Sequence, residues 1–302
     1  MHNLWALATL SVVVAIPATA IGQQDPDRAY PPTMERAHVE VYKTIGDVNL
    51  DIYIFTPEGH KPTDRRAAAV FFFGGGWRSG TPKQFEPHCK QLASRGIVAM
   101  AADYRVSSRH QTKAVACVSD AKSAVRWIRR EADRLGVDAD RIVAVGASAG
   151  GHIAACTGTI DKFDESDEDL SISSKPNAMA LFNPVTVLAP VDGRWPFYPD
   201  RATKLAARTG VDPRQISPFH QLKSGAPPTI LFHGTGDTTV KFWTAEAFAT
   251  AMEEAGNRCE LHAYEGQPHG FFNYGRGANK YYGLTTKALD EFLVSLGYLP
   301  DP

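Results

Sequence analysis

A single serine, Ser148, stands in Gly146-Ala147-Ser148-Ala149-Gly150, just after the apolar run 141–145 and before a segment of helical character. A hydroxyl is a weak nucleophile until a base takes its proton, and it must be lifted clear of its own backbone to reach a carbonyl carbon. Small residues on both flanks permit the sharp, strained strand-to-helix turn that lifts it, and the amino terminus of the following helix favours negative charge beside it. A glycine-rich junction with an incidental serine would carry the same letters. The other parts of an acyl-transfer site must therefore be found elsewhere in the chain.

Three segments supply them. Gly74-Gly75-Gly76 follow the apolar run 67–73, and backbone N–H groups on a loop without side chains suit a developing oxyanion. Three glycines ending a core strand also have an entropic cost that a plain turn does not require. With the N–H of Ala149, those of Gly75 and Gly76 are the expected oxyanion donors. His269, between Pro268 and Gly270 on a loop after the last predicted strand, is the expected general base; His233 and His262 fall inside predicted strands and read as structural. Asp237 in H-G-T-G-D-T-T-V closes the preceding strand, free to orient an imidazole. Asp237 follows Ser148 by 89 residues and His269 follows Asp237 by 32. The order Ser, Asp, His is that of the α/β-hydrolases and not of the other serine-protease folds. The expected chemistry is attack by Ser148, an acyl-enzyme, and its hydrolysis.

These residues need a scaffold that gathers strand ends. The segments 39–46 and 48–57 suit a pair of antiparallel strands, with Val48, Leu50, Ile52 and Ile54 at period two. Apolar runs at 67–73, 97–102, 141–145, 177–182 and 229–234, with 259–264 after them, read as strands, most buried on both faces. Helical periodicity fills the gaps, clearest over 112–136, where Val118, Ala121, Val125 and Ile128 repeat and Gly136 supplies a stop; 242–255 and 279–296 are similar. Alternation of this kind predicts a mostly parallel eight-stranded sheet with helices on both faces, its functional groups at the carboxyl ends of the strands.

The 302 residues carry 32 basic and 33 acidic side chains, a net charge of −1. That offers no field for nucleic acid or an anionic membrane surface. The acidic run 161–170 reads as a solvated loop after a helix. Residues 1–20 read as a signal peptide: an apolar run from Leu4 to Ile16, Pro17, then Ala18-Thr19-Ala20. No Lys or Arg precedes the run, so an uncleaved anchor is the rival, but the run is too short to span about 30 Å of hydrocarbon. A polar arm, 21–38, and one α/β domain, 39–302, complete the organisation, and the expected location is secreted or periplasmic. Four cysteines, Cys89, Cys117, Cys156 and Cys259, could be buried thiols or two disulfides; no metal-binding spacing is present, and no metal or organic cofactor is implied.

The motifs G-G-G-W (74–77), A-D-Y-R (102–105), G-A-S-A-G-G-H (146–152), P-P-T-I-L-F-H-G-T-G-D-T-T-V (227–240) and G-Q-P-H-G-F-F (266–272) resemble those of the α/β-hydrolase esterases, within them the secreted acetylxylan and feruloyl esterase-like group. The resemblance covers residues 39–298. It implies an α/β-hydrolase fold and a short-acyl ester or acylated polysaccharide as substrate, and it specifies the superfamily far more sharply than the substrate. Phe73 departs from the family pattern, in which a histidine precedes the three glycines and steadies the loop. The loop must then be held some other way, and replacing Phe73 by histidine is expected to be tolerated. An insertion at about 187–225 carries Trp195, Phe197 and Tyr198, which with Trp77 are candidates for a substrate-facing aromatic wall. Arg105, Asp103 and Asp120 read as a structural network beneath the site. The competing readings are a prolyl-oligopeptidase-like serine peptidase, whose amino-terminal propeller is not seen, and a non-catalytic carbohydrate-binding relative, against which the intact Ser, Asp and His argue.

Overall fold

The computed structural model describes residues 30–197 and 199–300; the expected signal peptide, most of the arm and Tyr198 lie outside them. Eight strands form one sheet: β1 (His38–Ile45), β2 (Val48–Phe55), β3 (Arg66–Phe72), β4 (Val98–Ala102), β5 (Val137–Ala147), β6 (Ala178–Phe182), β7 (Thr229–Gly234) and β8 (Cys259–Tyr264). Their spatial order is β1-β2-β4-β3-β5-β6-β7-β8. The β1–β2 and β2–β4 pairs are antiparallel and every other pair is parallel. This is the α/β-hydrolase arrangement.

The parallel strands are apolar on both faces because helices cover both. Ala68, Val70 and Phe72 of β3 pack with α3 (Ala114–Arg130), α4 (Ala149–Thr159) and α7 (Trp243–Glu254). Ala69 and Phe71 of the same strand pack with α1 (Glu86–Arg95) and α8 (Lys280–Ser295) on the other face. Short α2 (Ser107–His110) follows β4, and the insertion contributes α5 (Pro199–Thr209) and α6 (Pro218–Gln221). The helix expected over 112–136 stops at Arg130; residues 131–136 turn back, Gly136 at φ 61°, and deliver Val137 to β5.

Three expectations need correction or completion. The acidic run does not hang in solvent: Asp164 pairs with Lys122 and Arg126, Glu165 with Lys43 and Arg105, and Glu168 with Arg126. Among the described residues, Lys122 and Arg126 of α3 are buried with no other carboxylate, and Lys43 and Arg105 share the single carboxylate of Asp120, so the run folds back to supply the missing negative charge. All four cysteines are buried free thiols. The network of Arg105 with Asp120 is present, whereas Asp103 pairs with Arg109 and Tyr30.

Candidate active site

Strand β5 ends at Ala147 and α4 begins at Ala149, leaving Ser148 alone at the junction with φ 53° and ψ −117°. Side-chain-bearing residues rarely adopt that conformation, and it persists only where neighbours impose it. Here the Ser148 N–H donates to Phe182 O at 2.9 Å, and its C=O accepts from the N–H groups of His152 (2.9 Å) and Val185 (3.3 Å). The flanking glycines are required: a Cβ at Gly146 would lie 2.2 Å from Gly150 O, and one at Gly150 would lie 2.0 Å from Phe72 O. Ser148 is partly exposed between buried neighbours.

The side chains of Asp237 and His269 meet. His269 Nδ1 donates to Asp237 Oδ2 at 2.6 Å. Asp237 Oδ1 accepts the N–H groups of Thr239 (2.8 Å) and Val240 (2.9 Å). The second carboxylate oxygen also lies 3.3 Å from His233 Nε2, which donates to Val240 O at 2.9 Å. Burial by itself would raise the Asp237 carboxyl, but hydrogen bonds from His233, His269 and the Val240 N–H outweigh it and hold the group well below the usual carboxylate range. Asp237 is therefore an anion. Because Nδ1 of His269 carries the donated proton, Nε2 presents its lone pair, on a ring 23% exposed.

Strand β6 draws these parts together. Phe182, its last residue, holds the N–H of Ser148; Asn183, next in the chain, accepts the Gly270 N–H on Oδ1 at 3.0 Å and donates its own N–H to Phe232 O at 2.7 Å. Serine, acid and histidine thus stand on the carboxyl ends of β5, β7 and β8, around the end of β6. A cleft of about 790 Å³ lies at the opposite edge, lined by Asp140, Asn177, Pro227 and Pro228 where β6 and β7 begin. That edge carries none of the three.

The glycine loop lies against the serine: a Cβ on Gly74 would stand 3.5 Å from Ser148 Cβ. The Gly74 N–H is taken by Gln84 Oε1 at 2.7 Å. Among the described residues the N–H groups of Gly75 and Gly76 donate to nothing, and Ala149 opens α4, where an N–H has no intrahelical partner. Gly76 O accepts from Arg208 Nη2 of α5 at 2.7 Å. Phe73 is fully buried and stacked on Tyr104 at 4.1 Å, and the Tyr104 hydroxyl donates to Phe73 O at 2.7 Å. Stacking, Gln84 and Arg208 hold the loop where the family uses a histidine.

The aromatic wall is corrected in part. Trp77 is buried, with φ 58°, and its Nε1 donates to His152 Nδ1 at 3.1 Å, so its polar edge serves the interior. Phe197 is half-buried against the core, while Trp195 is 45% exposed. His233, which the sequence reads as structural, lies four positions before Asp237 and reaches its carboxylate; of the residues the sequence does not single out, Asn183 carried a signal, a polar residue directly after a buried strand. Gln84 carried none.

The BD-FAE family model matches residues 50–252. The chain belongs to the BD-FAE family. A solved α/β-hydrolase esterase has a similar fold: Thermogutta terrifontis esterase 2, solved with propionate bound, is 53% identical with a TM-score of 0.86, over 91% of this chain and 99% of that one. The same esterase has been solved phosphorylated by paraoxon and with butyrate bound. A protein of Oryza sativa subsp. japonica named probable isoprenylcysteine alpha-carbonyl methylesterase ICMEL1 is 32% identical over 236 residues, 73% of this chain and 53% of its own length. Ethyl acetate hydrolase of Pseudomonas putida is 26% identical over 75% of this chain and 72% of its own. The chain spans about half the length of the curated relatives it matches first.

Proposed function

We propose that this protein is a serine carboxylic ester hydrolase that cleaves short acyl esters, with Ser148 as nucleophile, His269 as general base and Asp237 as the anion that orients it. The observation that carries the reading is the 2.6 Å contact of His269 Nδ1 with an ionised Asp237, beside a serine held at φ 53°. As Ser148 Oγ attacks the acyl carbon, its proton passes to His269 Nε2, and the negative oxygen meets the N–H groups of Gly75, Gly76 and Ala149. Collapse expels the alcohol, which takes the proton from His269. Water then repeats the sequence on the acyl-enzyme and releases the acid.

We propose acetyl esters as the preferred substrates and an acylated polysaccharide such as acetylated xylan as their source. A short acyl group agrees with the propionate- and butyrate-bound neighbour, and exposed Trp195 offers a sugar a ring to stack on. The same proposal puts the mature chain outside the cytoplasm after loss of residues 1–20, which amino-terminal sequencing of exported protein tests.

A panel of acetyl, butyryl and octanoyl esters with acetylated xylan, run with wild type and Ser148→Ala, tests the function. Wild type is expected to lose kcat/KM as the chain lengthens, to release acetate from the glycan, and to be labelled by paraoxon on Ser148; Ser148→Ala is expected to do none of these. Octanoyl esters cleaved faster than acetyl would mean a deep apolar tunnel, each sheltered methylene contributing about 0.8 kcal/mol, and would overturn the short-acyl reading. Methyl esters of bulky acids cleaved faster than acetyl esters would replace it with a methylesterase activity.

A further inference from the structure

Two side-chain amides far apart in sequence join the glycine loop to the histidine loop. Gln84 lies in a 3₁₀ turn, Pro82–Phe85, just beyond the glycines; Asn273 lies four residues beyond His269. Gln84 Oε1 accepts the Gly74 N–H at 2.7 Å, Gln84 Nε2 donates to Asn273 Oδ1 at 2.9 Å, and Asn273 Nδ2 donates to Gly270 O at 2.8 Å. The N–H of Gly270 is held at its other end by Asn183. The polarity of the chain has one solution. The Gly74 N–H can only donate and the Gly270 C=O can only accept, so both amides must point the same way and each must use both its ends.

We propose that Gln84 and Asn273 are positioning residues that act as one unit, setting the distance between the oxyanion donors and His269. The proposal rests on Ser148, His269 and Asp237 being the catalytic set. Its physical basis is that the two halves of the machinery sit on separate loops. The glycine loop follows β3 and the histidine loop follows β8, at the far edge of the sheet. A tetrahedral intermediate needs both within a few tenths of an ångström of their working places, and a displacement of about 1 Å costs on the order of 100-fold in rate. Gly270, at φ 74°, has no side chain with which to pack the histidine loop, so its hydrogen bonds to the Asn183 side chain and to the backbone and side chain of Asn273 carry that task. By occupying the Gly74 N–H, Gln84 also leaves the donor role to Gly75 and Gly76. With Phe73 in place of the family's histidine, the bridge acts beside Tyr104 and Arg208 in holding this loop, and it is the contact that reaches the histidine loop.

The chemistry of the amides supplies variants that cut one link each while keeping shape. Gln84→Glu still accepts from Gly74 but cannot donate to Asn273. Asn273→Asp still accepts from Gln84 but cannot donate to Gly270. These two, Gln84→Ala, Asn273→Ala and the double alanine variant are compared with wild type on p-nitrophenyl acetate for kcat, KM and Tm, with Ser148→Ala as control. The expected result is a ten- to hundredfold fall in kcat for every single variant, KM within about threefold, and a fall that persists well below Tm. The double variant should be no slower than the slower single, because breaking either link uncouples the same two loops. Wild-type kcat in the Glu and Asp variants, losses that multiply in the double variant, or losses that vanish on cooling would each overturn the proposal while leaving the catalytic set intact. Full activity of Ser148→Ala would overturn the catalytic set and this unit with it.

Discussion

Trp77 Nε1 donates to Nδ1 of His152 at 3.1 Å, and His152 stands one helical turn after Ser148. The other ring nitrogen of His152 donates to Ile216 O at 2.6 Å. One neutral imidazole thus connects the glycine loop, the helix that follows the nucleophile and the end of the insertion. Trp77→Phe keeps an aromatic ring, smaller than the indole, and removes the donor, leaving a buried acceptor without a partner. A loss of about 1–3 kcal/mol is expected in chemical denaturation, together with a lower kcat as the loop loosens.

Acid should destabilise the fold through two buried histidines. His88, with neither ring nitrogen partnered and enclosed by Phe71, Phe85, Phe182, Phe272 and Tyr282, is pushed down by burial to about 3 from its ordinary 6.5. Burial likewise takes His152 down to about 4, partly countered by the Ile216 carbonyl. In both cases the unfolded chain binds the proton first. Stability is therefore complete above pH 6.5 and falls as the pH drops, by about 1.4 kcal/mol per pH unit for each histidine until its folded value is reached. Urea midpoints measured from pH 7 to pH 4.5 should show that decline. His88→Leu, which fills the same apolar cage, should make it shallower by about one proton's worth while costing little at pH 7.

Asp237→Asn should lower kcat by on the order of 10³ to 10⁴. The N–H groups of Thr239 and Val240 require an acceptor where Oδ1 now stands, so the new amide must turn its NH₂ toward His269 and His233. Two donors then face each other. His269 escapes by moving its proton to Nε2, where it can no longer take one from Ser148. A preserved Tm with lost turnover supports this; turnover near wild type would remove Asp237 from the triad.

Phe73→His, expected from family resemblance to be tolerated, should instead destabilise the protein by on the order of 3 kcal/mol. Phe73 is fully buried, stacked on Tyr104, and the ring of Phe73 would lie 2.6 Å from a Cβ placed on Gly80. An imidazole there loses packing and places two ring nitrogens among apolar neighbours. Thermal unfolding of the variant tests it, and a Tm equal to wild type would show that the loop accommodates the change.

What the sequence by itself determined is what is local. Apolar runs of strand length, helical repeats and a serine between small residues each report on a few consecutive positions, and the structure places every predicted strand within a few residues. The glycines of the elbow and the order of Ser148, Asp237 and His269 are of this kind, since a tight turn and a strand end leave their marks where they occur. The tertiary structure decided the rest because those partners meet across the fold. Gln84 and Asn273 are 189 residues apart, Trp77 and His152 are 75, and Lys43 and Glu165 are 122. No spacing rule connects such pairs. An acidic run reads as solvated until the cations it neutralises are seen on β1 and α3, and a tryptophan beside three glycines reads as substrate-facing until its N–H is found on a buried imidazole. A polar group's function depends on what stands opposite it, and that is settled only when the sheet has brought the loops together.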